Sequence, residues 1–307
     1  MSFFYSLLII FASVNILLVS PKAVNMAEKL VETQSIPTNN IVEGGSKVKG
    51  TSAIIPRLKE NFTSVPYVSA TALVVKDTSS KTLLYVKDPD KRVPIASTTK
   101  IMTALVASEY FKPADVLTVK TTSLVGGSSM GLKLGEEMTF RSLLYGMLLN
   151  SGNDAAFTIA DNYPGGKDNF ILAMNEKAKS LGLINTHFEN PAGFDGGTHY
   201  SSANDLAVIA EAAITNSQFS RIVSTKDTVV FSIDKQSEHS LKNLNKLLSL
   251  PGFLGIKTGT TPIAKENLVA LVERNGRKIL TVVLGSDDRF TETEKIIDWS
   301  YSNFIWE

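Results

Sequence analysis

The sequence predicts a mixed α/β fold of the α+β kind: one antiparallel five-stranded sheet flanked by helices, with an all-helical lobe inserted into it. Three observations predict this. Two strand-like runs joined by a short polar turn lie at 70–77 and 81–88. A helix-rich stretch follows over 97–215. Three further β-rich runs then appear at 255–261, 266–274 and 278–286. Strands, then helices, then strands pack most economically as one sheet built from both ends of the domain, with the helices against it.

Each element has its own local reason. ATALVVKD (70–77) and KTLLYVKD (81–88) are joined by Thr78-Ser79-Ser80, a hairpin signal. Apolar residues at helical spacing run over 97–110, and 140–149 and 154–162 read as two helices around a tight Ser-Gly-Asn turn. The stretch 167–181 is helical by period, with Gly182 as its C-terminal stop. Ser-Ser-Ala-Asn-Asp opens the helix expected over 201–215, where small polar side chains satisfy free backbone N–H groups. ENLVALVER (266–274) and KILTVVLGS (278–286) flank Asn275-Gly276, a strong two-residue hairpin turn. A last helix is expected over 291–305, and no internal repeat is visible.

Residues 3–20 form a nearly unbroken apolar run, FFYSLLIIFASVNILLVS. Eighteen helical residues span roughly 27 Å, close to the hydrocarbon thickness of a bilayer. At the extreme N-terminus such a run reads as a cleaved signal peptide or a retained membrane anchor over 1–27. Both options stay open, because no small-residue cleavage site stands out. Residues 28–65 are polar and irregular, with GGSKVKG, and read as a tether. The remaining span, 66–307, is expected to fold as one domain, and the N-terminal run places it outside the cytoplasm.

The charge balance excludes several function classes. Thirty-one Lys and Arg face thirty Asp and Glu among 307 residues, a net charge of +1. A nucleic-acid binder normally carries a clear basic excess, so no nucleic-acid partner is expected. The chain has no cysteine, which excludes disulfides, thiolate metal sites and cysteine nucleophiles. Its three histidines, His187, His199 and His239, leave few candidates for histidine-based catalysis. His239 is expected to face solvent.

Three weak signals carry chemistry. Ser97-Thr98-Thr99-Lys100 places a hydroxyl and an amine three residues apart, on one helix face. A serine hydroxyl is a weak nucleophile until a base takes its proton, and a desolvated lysine near another cation can be that base. Taken alone, the tetrapeptide is a capped helix start with a solvated lysine, because Ser followed by Lys three residues later is common. Ser151-Gly152-Asn153 interrupts two apolar helices, and alone it is a helix–helix turn. Lys257-Thr258-Gly259 offers a cation and a hydroxyl suited to a carboxylate, and a glycine that lets a substrate backbone approach; alone it is a strand with a bulge.

The three signals occur in one order, 54 and then 106 residues apart. Ser-x-x-Lys, an Asn-containing triplet and Lys-Thr-Gly together mark the penicillin-binding proteins and class A β-lactamases. With the flanking text IASTTKIMTALVA, LLYGMLLNSGNDAA, THFENPAGFDGGTHYSSANDLA and GIKTGTT, residues 66–305 resemble the low-molecular-mass D-alanyl-D-alanine peptidases, serine peptidases of the S11 type. The resemblance implies a β-lactamase/transpeptidase-like fold. It also implies roles. Ser97 would be the acylated nucleophile and Lys100 its proton acceptor. Ser151 would relay protons to the leaving amine, and Asn153 would hold Lys100 and the substrate amide. Lys257 and Thr258 would bind the terminal carboxylate beside Gly259. The backbone N–H groups of Ser97 and Thr260 would form the oxyanion hole. Position 260 is often histidine in the family, a departure that keeps the backbone donor. Arg289 would support Lys257. The expected partners are peptidoglycan stem peptides, with β-lactam antibiotics as covalent inhibitors and the membrane if the N-terminal segment is retained. The implied acyl transfer needs no metal and no organic cofactor.

Other residues suggest competing chemistries. Gly127-Ser128-Ser129-Met130-Gly131 matches a nucleophile elbow, but GLKLGEE after it is no helix start. His187, His199, Glu189 and Asp195 could suggest zinc, yet their setting reads as a structured loop. Glu189 lies 36 residues past Asn153, a spacing that suggests a β-lactamase base, but its context reads as surface. A β-lactam-binding module without turnover would not need all these polar residues. Ending soon after the last helix, the chain resembles the shorter members of the family, some of which cleave D-alanyl cross-links as endopeptidases.

Overall fold

A computed structural model of the protein describes residues 54–307. The expected signal or anchor over 1–27, and the tether as far as 53, lie outside the described residues. The end of the tether behaves differently from expectation. Strand β1 (Arg57–Leu58) pairs antiparallel with the strand that ends the chain. The backbone N–H of Thr63 donates to Asn303 Oδ1 at 2.6 Å, and Trp299 Nε1 donates to Thr63 O at 2.8 Å. Residues 57–63 are therefore part of the domain. Hydropathy missed them because hydrogen bonds, rather than apolar side chains, fasten them.

Strands β2 (Ala72–Asp77) and β3 (Leu83–Lys87) form the expected first hairpin. The helix expected over 97–110 is two pieces: a 3₁₀ turn at Ala96–Thr99, then α1 (Lys100–Tyr110). A short antiparallel pair, β4 (Val116–Thr118) and β5 (Glu137–Thr139), leads into α2 (Phe140–Leu148), whose N-cap Thr139 accepts from Ser142 N. Then come α3 (Asn153–Asn162), α4 (Gly166–Ser180) and α5 (Ala203–Ile214), the last capped by Ser202 accepting from Asp205 N. Helix α6 (Ser217–Val223) and the hairpin β6 (Asp227–Phe231) with β7 (Glu238–Lys242) were not expected. Strands β8 (Phe253–Thr261), β9 (Lys265–Arg274) and β10 (Arg277–Ser286) follow, then α7 (Arg289–Asn303) and β11 (Phe304–Ile305). Asn275 and Gly276 both take positive φ, 51° and 71°, as a tight β9–β10 hairpin turn requires.

The main sheet runs β3-β2-β10-β9-β8, all antiparallel, so strands from both ends of the domain meet at β2 and β10. Side chains alternate across it, because successive residues of a strand point to opposite faces. Ala72, Val74, Leu280 and Val282 join the core shared with the helical lobe, including Leu206 and Ile209 of α5. Leu73, Val75, Ile279 and Val283 pack on the other face against Ile296 and Trp299 of α7. Each fully buried Leu, Ile or Val contributes roughly 1.5–3 kcal/mol, so the sheet is held from both sides. The helical lobe sits beside edge strand β8, whose glycine at position 259 touches the 3₁₀ turn. The sequence motifs meet at that seam. No helix among the described residues is long and apolar enough to cross a membrane.

Candidate active site

Ser97 lies in the 3₁₀ turn and Lys100 is the first residue of α1. One turn of helix separates them, so their side chains share a face. Lys100 is completely buried, and Nζ donates to Ser97 Oγ at 2.9 Å, to Asn153 Oδ1 at 2.8 Å and to Ala192 O at 2.6 Å. All three acceptors are uncharged. Burial therefore pushes the Lys100 pKa well below its ordinary 10.5; the Lys257 cation adds to the fall, and the Asp154 carboxylate opposes it. Ser97 itself stays half-buried, open enough to meet a substrate.

The Ser151-Gly152-Asn153 turn joins α2 to α3. Ser151 takes φ 59°, a left-handed conformation that reverses the chain between the two helices. Asn153 is held by its own groups: N–H to Ser128 O at 2.7 Å and Nδ2 to Gly126 O at 2.8 Å. That leaves its Oδ1 for Lys100. Ser97, Lys100 and Asn153 are thus joined by direct hydrogen bonds, while Ser151 is buried nearby and outside that set.

The decoy motif at 127–131 has a different job. Asp154, 2% exposed, accepts from the backbone N–H groups of Met130, Gly131 and Leu132 at 3.0 Å each, and from Ser129 Oγ. Ser129 is therefore a partner of a carboxylate and not a nucleophile. The loop wraps Asp154 and, through Gly126 and Ser128, props up Asn153. Sequence reasoning missed Asp154, which reads as an ordinary acidic residue in the first turn of a helix.

From the other side, β8 supplies Lys257, Thr258, Gly259 and Thr260. Lys257 is 1% exposed and donates to Thr258 O at 3.0 Å. Burial pushes its pKa down to about 7, and the nearby Arg289 guanidinium contributes. Arg289, expected to support Lys257, instead binds the strand two and three residues further on: Nη1 donates to Gly259 O at 2.8 Å and to Thr260 Oγ1. Gly259 sits in a crowded place. A Cβ there would lie 3.0 Å from Ile95 O and Ser97 N and 3.1 Å from Thr98 N, so these backbone atoms or β8 would have to shift by a few tenths of an ångström. Glycine lets β8 lie this close to the Ser97 amide without that shift.

A loop over 187–201 forms the third wall. Asn190 Oδ1 accepts the N–H groups of Ala192, Gly193 and Phe194 at 3.2, 2.7 and 3.0 Å, which aims Ala192 O at Lys100. Thr261 Oγ1 donates to Asp195 Oδ1 at 2.9 Å, linking this loop to β8. Glu189 is exposed, as expected for a surface residue, and Thr198 holds its carboxyl below the usual range. His239 departs from expectation. It is 5% exposed, with Nδ1 donating to Met130 O at 2.9 Å and Nε2 2.6 Å from Glu136 Oε1. The alternation of β7, buried at His239 and Leu241, turns it inward.

This geometry has counterparts among known proteins. The family described as peptidase S11, D-alanyl-D-alanine carboxypeptidase, matches residues 59–288. The D-alanyl-D-alanine carboxypeptidase DacF of Bacillus subtilis is 36% identical over 243 residues, 76% of this chain and 61% of the relative. The chain thus spans less than two thirds of that protein. It spans more of the D-alanyl-D-alanine carboxypeptidase of Streptomyces sp. strain K15: 36% identity over 258 residues, 77% of this chain and 89% of the relative. The crystal structure of the Streptomyces K15 DD-transpeptidase has a TM-score of 0.74 and 34% identity, covering 78% of this chain and all of that one. These likenesses bear out the expected β-lactamase/transpeptidase-like fold, and the chain belongs to the S11 family of D-alanyl-D-alanine carboxypeptidases.

Proposed function

We propose that this chain is a penicillin-sensitive serine D,D-peptidase that cleaves the terminal D-Ala-D-Ala bond of peptidoglycan stem peptides during cell-wall remodelling. One observation carries the reading: a buried Lys100 with no anionic hydrogen-bond partner, 2.9 Å from the half-buried Ser97 hydroxyl. A lysine so placed gives up its proton readily and can accept the proton of Ser97. Ser97 Oγ then attacks the carbonyl carbon of the penultimate D-alanine. The oxygen that gains charge faces the N–H groups of Ser97 and Thr260; losing one such donor typically costs about 3–4 kcal/mol. Collapse breaks the C–N bond, and the leaving D-alanine nitrogen takes the proton that Lys100 held, relayed by Ser151. Water hydrolyses the ester and restores Ser97.

The supporting groups follow from charge. The terminal carboxylate of the substrate would lie against Lys257 and Thr258. A bound carboxylate stabilises the lysine cation, so occupancy would return the pKa of about 7 towards its ordinary value. Asn153 would hold Lys100 and meet the substrate amide. A β-lactam presents a similar carboxylate and a strained amide, and would leave a stable ester on Ser97. The apolar run at 3–20 supports export to the cell envelope, with that segment as signal or anchor.

Mass spectrometry of purified muropeptides after digestion tests the reading. Pentapeptide stems should lose one alanine. Cross-linked dimers resolved to monomers, with pentapeptide untouched, would make the enzyme an endopeptidase instead. Intact substrates of both kinds would reject a turning-over peptidase.

A further inference from the structure

His199 has no part in the reaction above, yet it is 3% exposed and both ring nitrogens are engaged. The Glu189 N–H points at Nδ1 at 3.1 Å. A backbone amide can only donate, so Nδ1 carries the lone pair and Nε2 carries the hydrogen. Nε2–H then donates to Thr99 Oγ1 at 2.8 Å, and Thr99 Oγ1 passes its own hydrogen to Ala96 O at 2.8 Å. Every donor and acceptor along this chain is matched.

The chain ends on the residue before the nucleophile. Ala96 takes φ 47°, a left-handed conformation that a non-glycine residue rarely adopts. Its surroundings must hold it there. The Ala96 carbonyl is gripped by Thr99 on one side. On the other lies Gly193, where an added Cβ would overlap the Ala96 oxygen. The residue before Gly193 is Ala192, whose carbonyl accepts from Lys100 Nζ at 2.6 Å. One ring nitrogen therefore touches the turn that carries Ser97. The other touches the loop that completes the Lys100 environment.

We propose that His199 is a positioning residue for acylation: as a neutral imidazole it clamps the Ala96–Thr99 turn to the 189–194 loop and so sets the Ser97–Lys100 geometry. The ring has the means to stay neutral. Burial pushes its pKa down to about 4; the exposed Glu189 carboxylate pulls the other way, and His187 and Lys100 add to the fall. Phe188 packs edge-on to the ring at 5.8 Å and limits its rotation.

The inference rests on Ser97 being the acylated residue, and its test separates the two. Stopped-flow acylation of the full chain by a fluorescent penicillin yields the initial binding constant and the acylation rate separately. In His199→Leu the acylation rate should fall at least about tenfold while binding changes less than about twofold, because misplacement acts on the chemical step. His199→Gln offers an amide N–H to the same hydroxyl and should recover most of that loss. Thr99→Val should slow acylation too, and the double variant His199→Leu/Thr99→Val should be no slower than the worse single variant, since both break one chain. A His199→Leu enzyme that acylates at the wild-type rate, with only a lower Tm, overturns the proposal. So do losses that multiply in the double variant. If His199→Leu does not fold, wild-type rates in both His199→Gln and Thr99→Val overturn it, and slowing in Thr99→Val with recovery in His199→Gln upholds it. A wild type with no label on Ser97 would instead reject the underlying reaction.

Discussion

Lys100 Nζ stands 2.9 Å from Ser97 Oγ, and its other two acceptors are an amide and a carbonyl oxygen. A buried lysine without an anionic partner pays for desolvation with a lowered pKa, and that turns a structural oddity into a base. The rate of acylation should therefore rise with pH as Lys100 loses its proton, with a midpoint well below 10.5. The Lys257 cation is one cause of that lowering. Lys257→Met removes the cation and should move the midpoint to higher pH. Acylation rates measured from roughly pH 5 to pH 10 check both statements, and an unmoved midpoint contradicts the electrostatic coupling.

Lys257 should also reveal itself as a stability cost. Its pKa is about 7 folded and 10.5 unfolded, so from pH 7 to 10.5 the unfolded chain binds more protons. Stability linked to this group is lowest below pH 7 and rises as pH climbs through that window. Lys257→Met abolishes the penalty. The variant should gain on the order of 1 kcal/mol or more at pH 6, seen as a Tm higher by about 2–4 °C, with the gain shrinking at alkaline pH. Its kcat/KM on a carboxylate-bearing substrate should drop at least about tenfold. Differential scanning calorimetry and steady-state kinetics on the same preparation test the pair.

Gly259→Ala should damage catalysis more than folding. The new methyl group would press on Ile95 O, Ser97 N and Thr98 N, which are backbone atoms with little freedom to yield. Strand β8 must move away from the Ser97 amide, and the oxyanion donors separate. We expect acylation to slow by about 10²–10³, the range seen when one oxyanion donor is lost. Acylation within about twofold of wild type would show that the strand spacing is not used.

Asp154→Ala removes the acceptor for four backbone N–H groups, those of Met130, Gly131, Leu132 and Ala155, and for the Ser129 hydroxyl. Buried donors left without partners cost about 1–3 kcal/mol each, so a loss of at least about 3 kcal/mol is expected in urea unfolding. The same change frees the loop that fixes Asn153, so residual folded protein should acylate slowly.

The motifs were legible because their residue types are rare in that order, and the sheet because β2, β9 and β10 are apolar on both faces. What stayed hidden follows a physical pattern. Ala192 meets Lys100 through its carbonyl, and a backbone atom leaves no mark on the side-chain sequence. Asp154 and Asn190 work by collecting backbone N–H groups from loops whose course is set only by the fold. His239 looked like a solvated residue because its strand is short and charged, although Glu238, His239, Ser240 and Leu241 do alternate outward and inward. Helix α6 is only seven residues long and begins two residues after Thr215, too short for a period to emerge.

The central claim is that Lys100 activates Ser97 for acylation. Intact-mass and peptide-mapping mass spectrometry of the full chain after timed exposure to a penicillin tests it directly. One adduct on the Ser97 peptide is predicted for the wild type, none on that peptide for Ser97→Ala, and accumulation slowed by about 10²–10⁴ for a folded Lys100→Ala. An adduct that survives Ser97→Ala, or forms at the wild-type rate without the Lys100 amine, would contradict the account.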